Sequence, residues 1–278
     1  GIRDVERSRG LGDVYKRQIT GFFLMGTFGV LQTVLMAAAC NLFIGISALS
    51  IYKENGGTIK FSLPTINFPK LRWSPEQKFW MGISFICGFT ALAYEVLWTR
   101  LLVFSIASTV YSFSMMLTVF LFGIFLGSLL LIPLLSKIKN LRTILIVLQG
   151  GVGIYIICSI YGLESILSPP WNAYNLGNPV AAFWNYFRDS AALMLIPTLL
   201  LGMCFPLLIQ LISEKHENIG QATGQVYAAN TMGAILGSLF SGFLFLPHFG
   251  SQASLTLLAT INLLTMILLF LSLIHISE

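Results

Sequence analysis

The sequence predicts an all-α protein, a polytopic transmembrane helical bundle with one six-span module preceded by the end of a preceding copy. Three observations lead there. Several apolar runs exceed the roughly 18 residues that read as a membrane span. Charged residues are 10% of the chain, hydrophobic residues 56%, and mean hydropathy is +0.82. Ordinary globular proteins carry about 25% charged residues. Finally, GFFLMGTFG (21–29) parallels GFLFLPHFG (242–250) at an offset of 221. At that offset Ala38 also matches Ala259, and Asn41-Leu42 matches Asn262-Leu263. Internal repeats are a construction rule of transporter-like folds.

The ends stand apart from this pattern. Residues 1–18 contain DVYKRQ, which resembles a translated transposase adapter from sequencing-library preparation. Residues 271–278, LSLIHISE, match the same adapter read on the opposite strand. Such segments are excluded from fold reasoning. The natural part is then Ile19–Phe270, with eleven Lys and Arg against seven Asp and Glu.

Residues 19–52 read as the last spans of a first module. Residues 53–76 read as a cytoplasmic linker. It contains Gly56-Gly57, Pro64 and Pro69, and four basic residues against one acidic between Lys53 and Ser74. Ser74-Pro75-Glu76-Gln77 marks a helix start, with Ser74 as cap, Pro75 in the first turn and Gln77 closing a capping box. Residues 77–270 form the second module. Its expected spans are Lys78–Phe104, Ala107–Leu135, Leu141–Leu163, Ser190–Ile212, Gln221–Leu246 and Ser251–Phe270. Pro197, Gly202 and Pro206 predict a kinked or broken fourth span. Lys137, Lys139 and Arg142 place the linker, the loop after the second span and the C-terminal end in the cytoplasm. The loop Ser165–Asp189 then faces outward, and its six aromatic residues suit the membrane interface.

Charge and cysteine usage exclude other classes. The net charge of +5 needs no nucleic-acid partner, because loop Lys and Arg are usual in membrane proteins. Cys40, Cys87, Cys158 and Cys204 lie singly in apolar runs, so no zinc site or disulfide framework is indicated, and they read as buried apolar thiols. GQATGQ (220–225) precedes a membrane helix and follows no strand, so it is no dinucleotide fingerprint. His216 and His248 read as isolated loop histidines, and no Ser/His/Asp set exists. No catalytic residue, metal or cofactor is expected.

The candidate binding residues are Glu95, Arg100, Tyr227, Asn230 and Thr231. Glu95 lies past the middle of the first complete span, where a carboxylate should face the bundle interior or be neutral. Arg100 is five residues on, about 140° around the helix, and near enough to the end to snorkel. Tyr94 and Trp98 share a face, with Trp98 expected at the interface. Tyr227, Asn230 and Thr231 form one polar stripe on the fifth span. Glu95 is expected to meet that stripe. Gly233 and Gly237, and likewise Gly123 and Gly127, have the GxxxG spacing that admits a neighbouring helix.

GFTALAYEVLWTRLL (88–102), STVYSFSMMLTVFLFGIFLGS (108–128) and GQVYAANTMGAILGSLFSGFLFLPHFG (224–250) resemble the membrane region of bacterial fused spermidine synthase-like proteins. The resemblance extends over Ile19–Phe270. It implies the bacterial inner (plasma) membrane and a major-facilitator-like region preceding a cytoplasmic aminopropyltransferase-like domain. That catalytic domain is missing from this sequence, so the fragment is expected to be inactive alone. The acidic residue of the facilitator loop signature is also missing between the second and third spans. The implied partners are the lipid bilayer and the missing domain, with an unidentified small-molecule substrate. The alternatives are half of a secondary transporter, with Glu95 as coupling group, or an anchor for the enzyme.

Overall fold

The computed structural model describes parts of 31–51, and residues 74–105, 110–135, 140–162, 179–213 and 219–276. Residues 1–30 and 52–73 lie outside the described residues. The N-terminal adapter match, the first copy of the repeated GFFLMGTFG and the linker up to residue 73 therefore fall there. The chain divides into two compact units, 1–72 and 73–278. In the first, the described residues are helical.

The second unit is an all-α bundle. Its helices are α1 (Pro75–Ser105), α2 (Val110–Leu135), α3 (Leu141–Tyr161), α4 (Pro179–Ser213), α5 (Ile219–Phe240) and α6 (Leu246–Ile276). A π-helical segment, Ser241–Phe245, joins α5 to α6. The start of α1 is a capping box: Ser74 N–H donates to Gln77 Oε1 at 2.8 Å, and Gln77 N–H donates to Ser74 Oγ at 3.2 Å. The Asn140 side chain accepts from Thr143 N–H at the start of α3.

Among the described residues five helices are long and apolar enough to cross a membrane, and the last of them runs for 51 residues, Thr223–Leu273. At ~1.5 Å per residue that is about 77 Å, more than twice the ~30 Å hydrocarbon layer. Gly250 breaks it, with φ 73° and ψ 176°, a conformation essentially confined to glycine. Ser241 Oγ donates to the Ala93 carbonyl at 3.1 Å, and Tyr94 Oη donates to Asn262 Oδ1 at 3.3 Å. Positions 241 and 262 thus reach the same level of α1, so the chain doubles back between them. The long run makes two crossings, α5 and α6.

Small residues set the helix pairs. Gly233 and Gly237 of α5 lie against the Phe85 and Phe89 carbonyls of α1, and a Cβ at either position would strike backbone. Gly127 of α2 lies against the Leu199 backbone of α4 in the same way, while Gly123 faces the Thr198 side chain and the Leu195 carbonyl. Ser84 Oγ donates to the Val226 carbonyl at 2.9 Å, and Ser128 Oγ to the Gly202 carbonyl at 2.9 Å. In both pairs numbers rise together, so α1 and α5 run parallel, as do α2 and α4. By contrast, α3 and α6 run antiparallel, with Gly150 at Met266 and Gly153 at Ala259 and Leu263. A chain crossing alternately up and down requires these directions.

The pairings also repeat within the unit. A shift of 110 residues carries Phe85 and Phe89 to Leu195 and Leu199, and the reverse shift carries Gly233 and Gly237 to Gly123 and Gly127. Gly153 and Leu263 are related by the same shift and touch each other. Exchanging α1 with α4, α2 with α5 and α3 with α6 therefore returns the same set of principal contacts. Because α1 and α4 cross in opposite directions, the two triplets are inverted relative to one another.

Several local expectations need correction. The fourth helix begins at Pro179, so Phe183, Trp184, Tyr186 and Phe187 are helical rather than loop residues. Of the kinked or broken span expected at Pro197 and Pro206, the break does not occur, and the helix runs on through both. The break lies instead at Gly250, where a turn with positive φ is needed. His248 is helical, in the turn just before the Gly250 break, rather than in a loop. Cys158 is exposed, whereas Cys87 and Cys204 are buried. An apolar environment outside the bundle makes an exposed thiol tolerable on a membrane helix.

Candidate functional site

The 92–100 segment of α1 presents two faces. Tyr94, Leu97 and Trp98 enter the core, and the rings of Tyr94 and Trp98 stack with centroids 5.3 Å apart. Trp98 is 1% exposed, so it is a core residue and not an interfacial one. Its burial against Tyr94 outweighs the usual preference of indole for the membrane surface.

Glu95 and Arg100 lie on the other side. Glu95 is half-buried and Arg100 exposed. Both line one open cavity of about 460 Å³ with Thr99, between apolar walls of Leu92, Val96, Phe113 and Leu246. A separate gap of about 10 Å³ shares Glu95, Thr99 and Phe113 with it and is lined further by Met116, Phe120 and Met194. Thr99 Oγ1 donates to the Glu95 backbone carbonyl at 2.6 Å. Among the described residues none donates a hydrogen bond to the Glu95 carboxylate. The π-helical segment positions one wall residue, Leu246, which follows it. Its Ser241 is tied to Ala93, Leu246 N–H bonds the Ser241 carbonyl, and Leu246 itself forms cavity wall. Single π-helical turns recur at functional sites because they displace a helix face locally.

The polar stripe of α5 does not meet Glu95. Asn230 backbone lies at Gly88, about 10 Å along α1 from Glu95 at ~1.5 Å per residue. Tyr227 is 62% exposed and packs edge-on against Phe205. Thr231 is half-buried. The expected junction is corrected for a steric reason. Val226, Asn230, Gly233 and Gly237 form the face of α5 that contacts α1, and Ser241 of the π-helical segment continues it. Close backbone approach through the glycines fixes the rotation of α5 and turns Tyr227 away. The five candidate residues thus separate into two groups, Glu95 with Arg100 at one cavity, and Tyr227, Asn230 and Thr231 nearer the other end of α1.

The principal polar cluster of the interior was missed in the sequence. Asn262 of α6 accepts from Tyr94 Oη and donates through Nδ2 to Gln149 Oε1 of α3 at 3.0 Å. Gln149 Nε2 in turn lies 3.1 Å from Cys87 Sγ and 3.6 Å from Cys204 Sγ. Tyr94, Gln149 and Asn262 are fully buried. The network joins α1, α3, α4 and α6. The available signal was one amide near the middle of each of two apolar spans, because such groups need partners away from water. Asn262 had served only as a repeat marker.

Comparison with protein-family models, curated proteins and solved structures finds no match to this chain.

Proposed function

We propose that residues 73–276 are a transporter-like membrane unit, and that it is the membrane domain of a spermidine synthase-like fusion protein. The observation that carries the first part is the exchange of packing between α1–α3 and α4–α6. Inverted triplets of this kind underlie each six-span half of major-facilitator transporters. A simple anchor needs neither that internal relation nor a cavity holding a carboxylate. The second part rests on the motifs at 88–102, 108–128 and 224–250. In this reading the bundle is not catalytic, and aminopropyl transfer belongs to the domain that would follow it.

Sequencing the gene beyond Phe270 tests the fusion. The expected result is a cytoplasmic glycine-rich strand–turn–helix with acidic residues downstream. A stop codon soon after α6 would leave a transporter half or an anchor.

The topology is tested separately. In a cysteine-free background, Asn172→Cys is expected to react with a membrane-impermeant maleimide on intact cells, and Lys139→Cys only after lysis. The expectation comes from Lys137, Lys139 and Arg142 between the second and third spans. The opposite labelling pattern would invert the assignment of both faces.

A further inference from the structure

We propose that the Glu95 cavity binds a monovalent organic cation, a protonated amine carrying an apolar body. The inference rests on the transporter-like reading only in treating this cavity as the ligand site, and it concerns binding, not movement of the ligand.

Four observations specify the class. The volume, about 460 Å³, is in the range of small-molecule sites, roughly 300–1,000 Å³. Glu95 supplies a carboxylate whose oxygens receive no hydrogen bond from the described residues. An ammonium group provides both the charge and the N–H donors. Thr99 does not compete for that carboxylate, because its hydroxyl is committed to the Glu95 backbone carbonyl. The remaining walls at Leu92, Val96, Phe113 and Leu246 suit a hydrocarbon body, and the Phe113 ring adds a face that a cation can approach.

Valence follows from the carboxylate count. Among the described residues of the wall Glu95 is the one acid. One ammonium there is compensated by the carboxylate, and a second would lie against apolar side chains with no acid beside it. The site therefore favours one charge over several. The π-helical segment adds shape, since Leu246 follows it directly and forms part of the wall.

The test uses the full chain in phosphatidylcholine nanodiscs without anionic lipid, with empty nanodiscs subtracted. Hexylammonium, hexanol, hexanoate and 1,6-hexanediammonium are titrated by calorimetry. Saturable hexylammonium binding is expected, with hexanol and hexanoate at least about ten-fold weaker and the dication no tighter than the monocation. Glu95→Gln should weaken hexylammonium at least about ten-fold and leave hexanol unchanged. Leu246→Trp retains the carboxylate but fills the cavity, and should also abolish binding. It serves in place of Glu95→Gln if that variant does not fold. Equal binding of hexanol, preference for hexanoate, a tighter dication, or hexylammonium binding undiminished in the folded variants overturns the proposal. None of these outcomes depends on the gene's continuation or on the labelling pattern, so the two readings fail separately.

Discussion

Gly237→Leu is expected to prevent the 73–276 unit from folding, whereas Gly224→Leu on the same helix should be tolerated. Any Cβ at Gly237 runs into the Phe89 carbonyl of α1, and rigid backbone cannot rotate aside as a side chain can. Overpacking by side chains costs about 1–3 kcal/mol. Separating α1 from α5 costs more, because it also opens the contacts at Phe85 and breaks the Ser84–Val226 and Ser241–Ala93 hydrogen bonds. Against a total stability of roughly 5–15 kcal/mol, a loss above about 3 kcal/mol is severe. A Cβ at Gly224 meets nothing within 4 Å, so leucine there only adds apolar surface. Size-exclusion profiles and thermal unfolding of the two variants in detergent decide the matter. A monodisperse, equally stable Gly237→Leu protein would show that α5 does not lie on α1 through this glycine.

Asn262→Leu should destabilise the bundle by about 1–3 kcal/mol, because it strands two buried polar groups at once. Tyr94 Oη loses its acceptor and Gln149 Oε1 loses its donor. Polar contacts between membrane helices average nearer 0.6 kcal/mol when measured by double-mutant cycles. The larger figure is expected here because the change does more than subtract a contact. It leaves Tyr94 and Gln149 fully buried with nothing to replace the lost partner. Adding Gln149→Leu to Asn262→Leu should restore part of the loss, since the stranded amide is then removed as well. Thermal midpoints of the wild type, the two single variants and the double variant test the coupling. Strict additivity of the single effects would mean that the two amides do not interact.

Much of the architecture was legible because bilayer thickness imposes a length on every apolar run. That constraint is local in sequence, and so are capping residues and glycine spacing. The Ser74–Gln77 box, the two GxxxG pairs and the starts of α3 and α5 could be read with no knowledge of what they touch. The fourth helix was harder. Aromatic residues at 183–187 suit both an interfacial loop and a helix end, and only the ordered chain distinguishes them. Pro197 and Pro206 signal a kink or a break, and the helix passes through both without a break. Packing on neighbouring helices can hold a proline-containing helix together where propensity alone would end it.

The candidate site was only half legible. Glu95 and Arg100 announced themselves, since a charge inside an apolar run is costly and therefore noticeable. Their surroundings were not, because the partner of a membrane carboxylate depends on how each helix is rotated about its axis. Polarity alone suggested that Tyr227, Asn230 and Thr231 would turn inward to meet Glu95. The glycine row on α5 decided otherwise, as close backbone contact at Gly233 and Gly237 left Tyr227 on the outside and set Asn230 against α1 at Gly88, away from Glu95.

By itself, then, the sequence determined an all-α membrane protein, the positions of its spans, the helix caps and the faces prepared for close approach. All of these follow from properties of a single segment, its length, hydropathy and residue spacing. The tertiary structure alone decided that α1 pairs with α5 and α2 with α4, that α5 reverses into α6 at Gly250, and that Tyr94, Gln149 and Asn262 meet. It also decided that Glu95 opens onto a largely apolar cavity. These depend on rotation and neighbour choice among helices that are all apolar. In a bilayer, hydrophobicity does not distinguish one such neighbour from another, so close packing and buried hydrogen bonds make the selection.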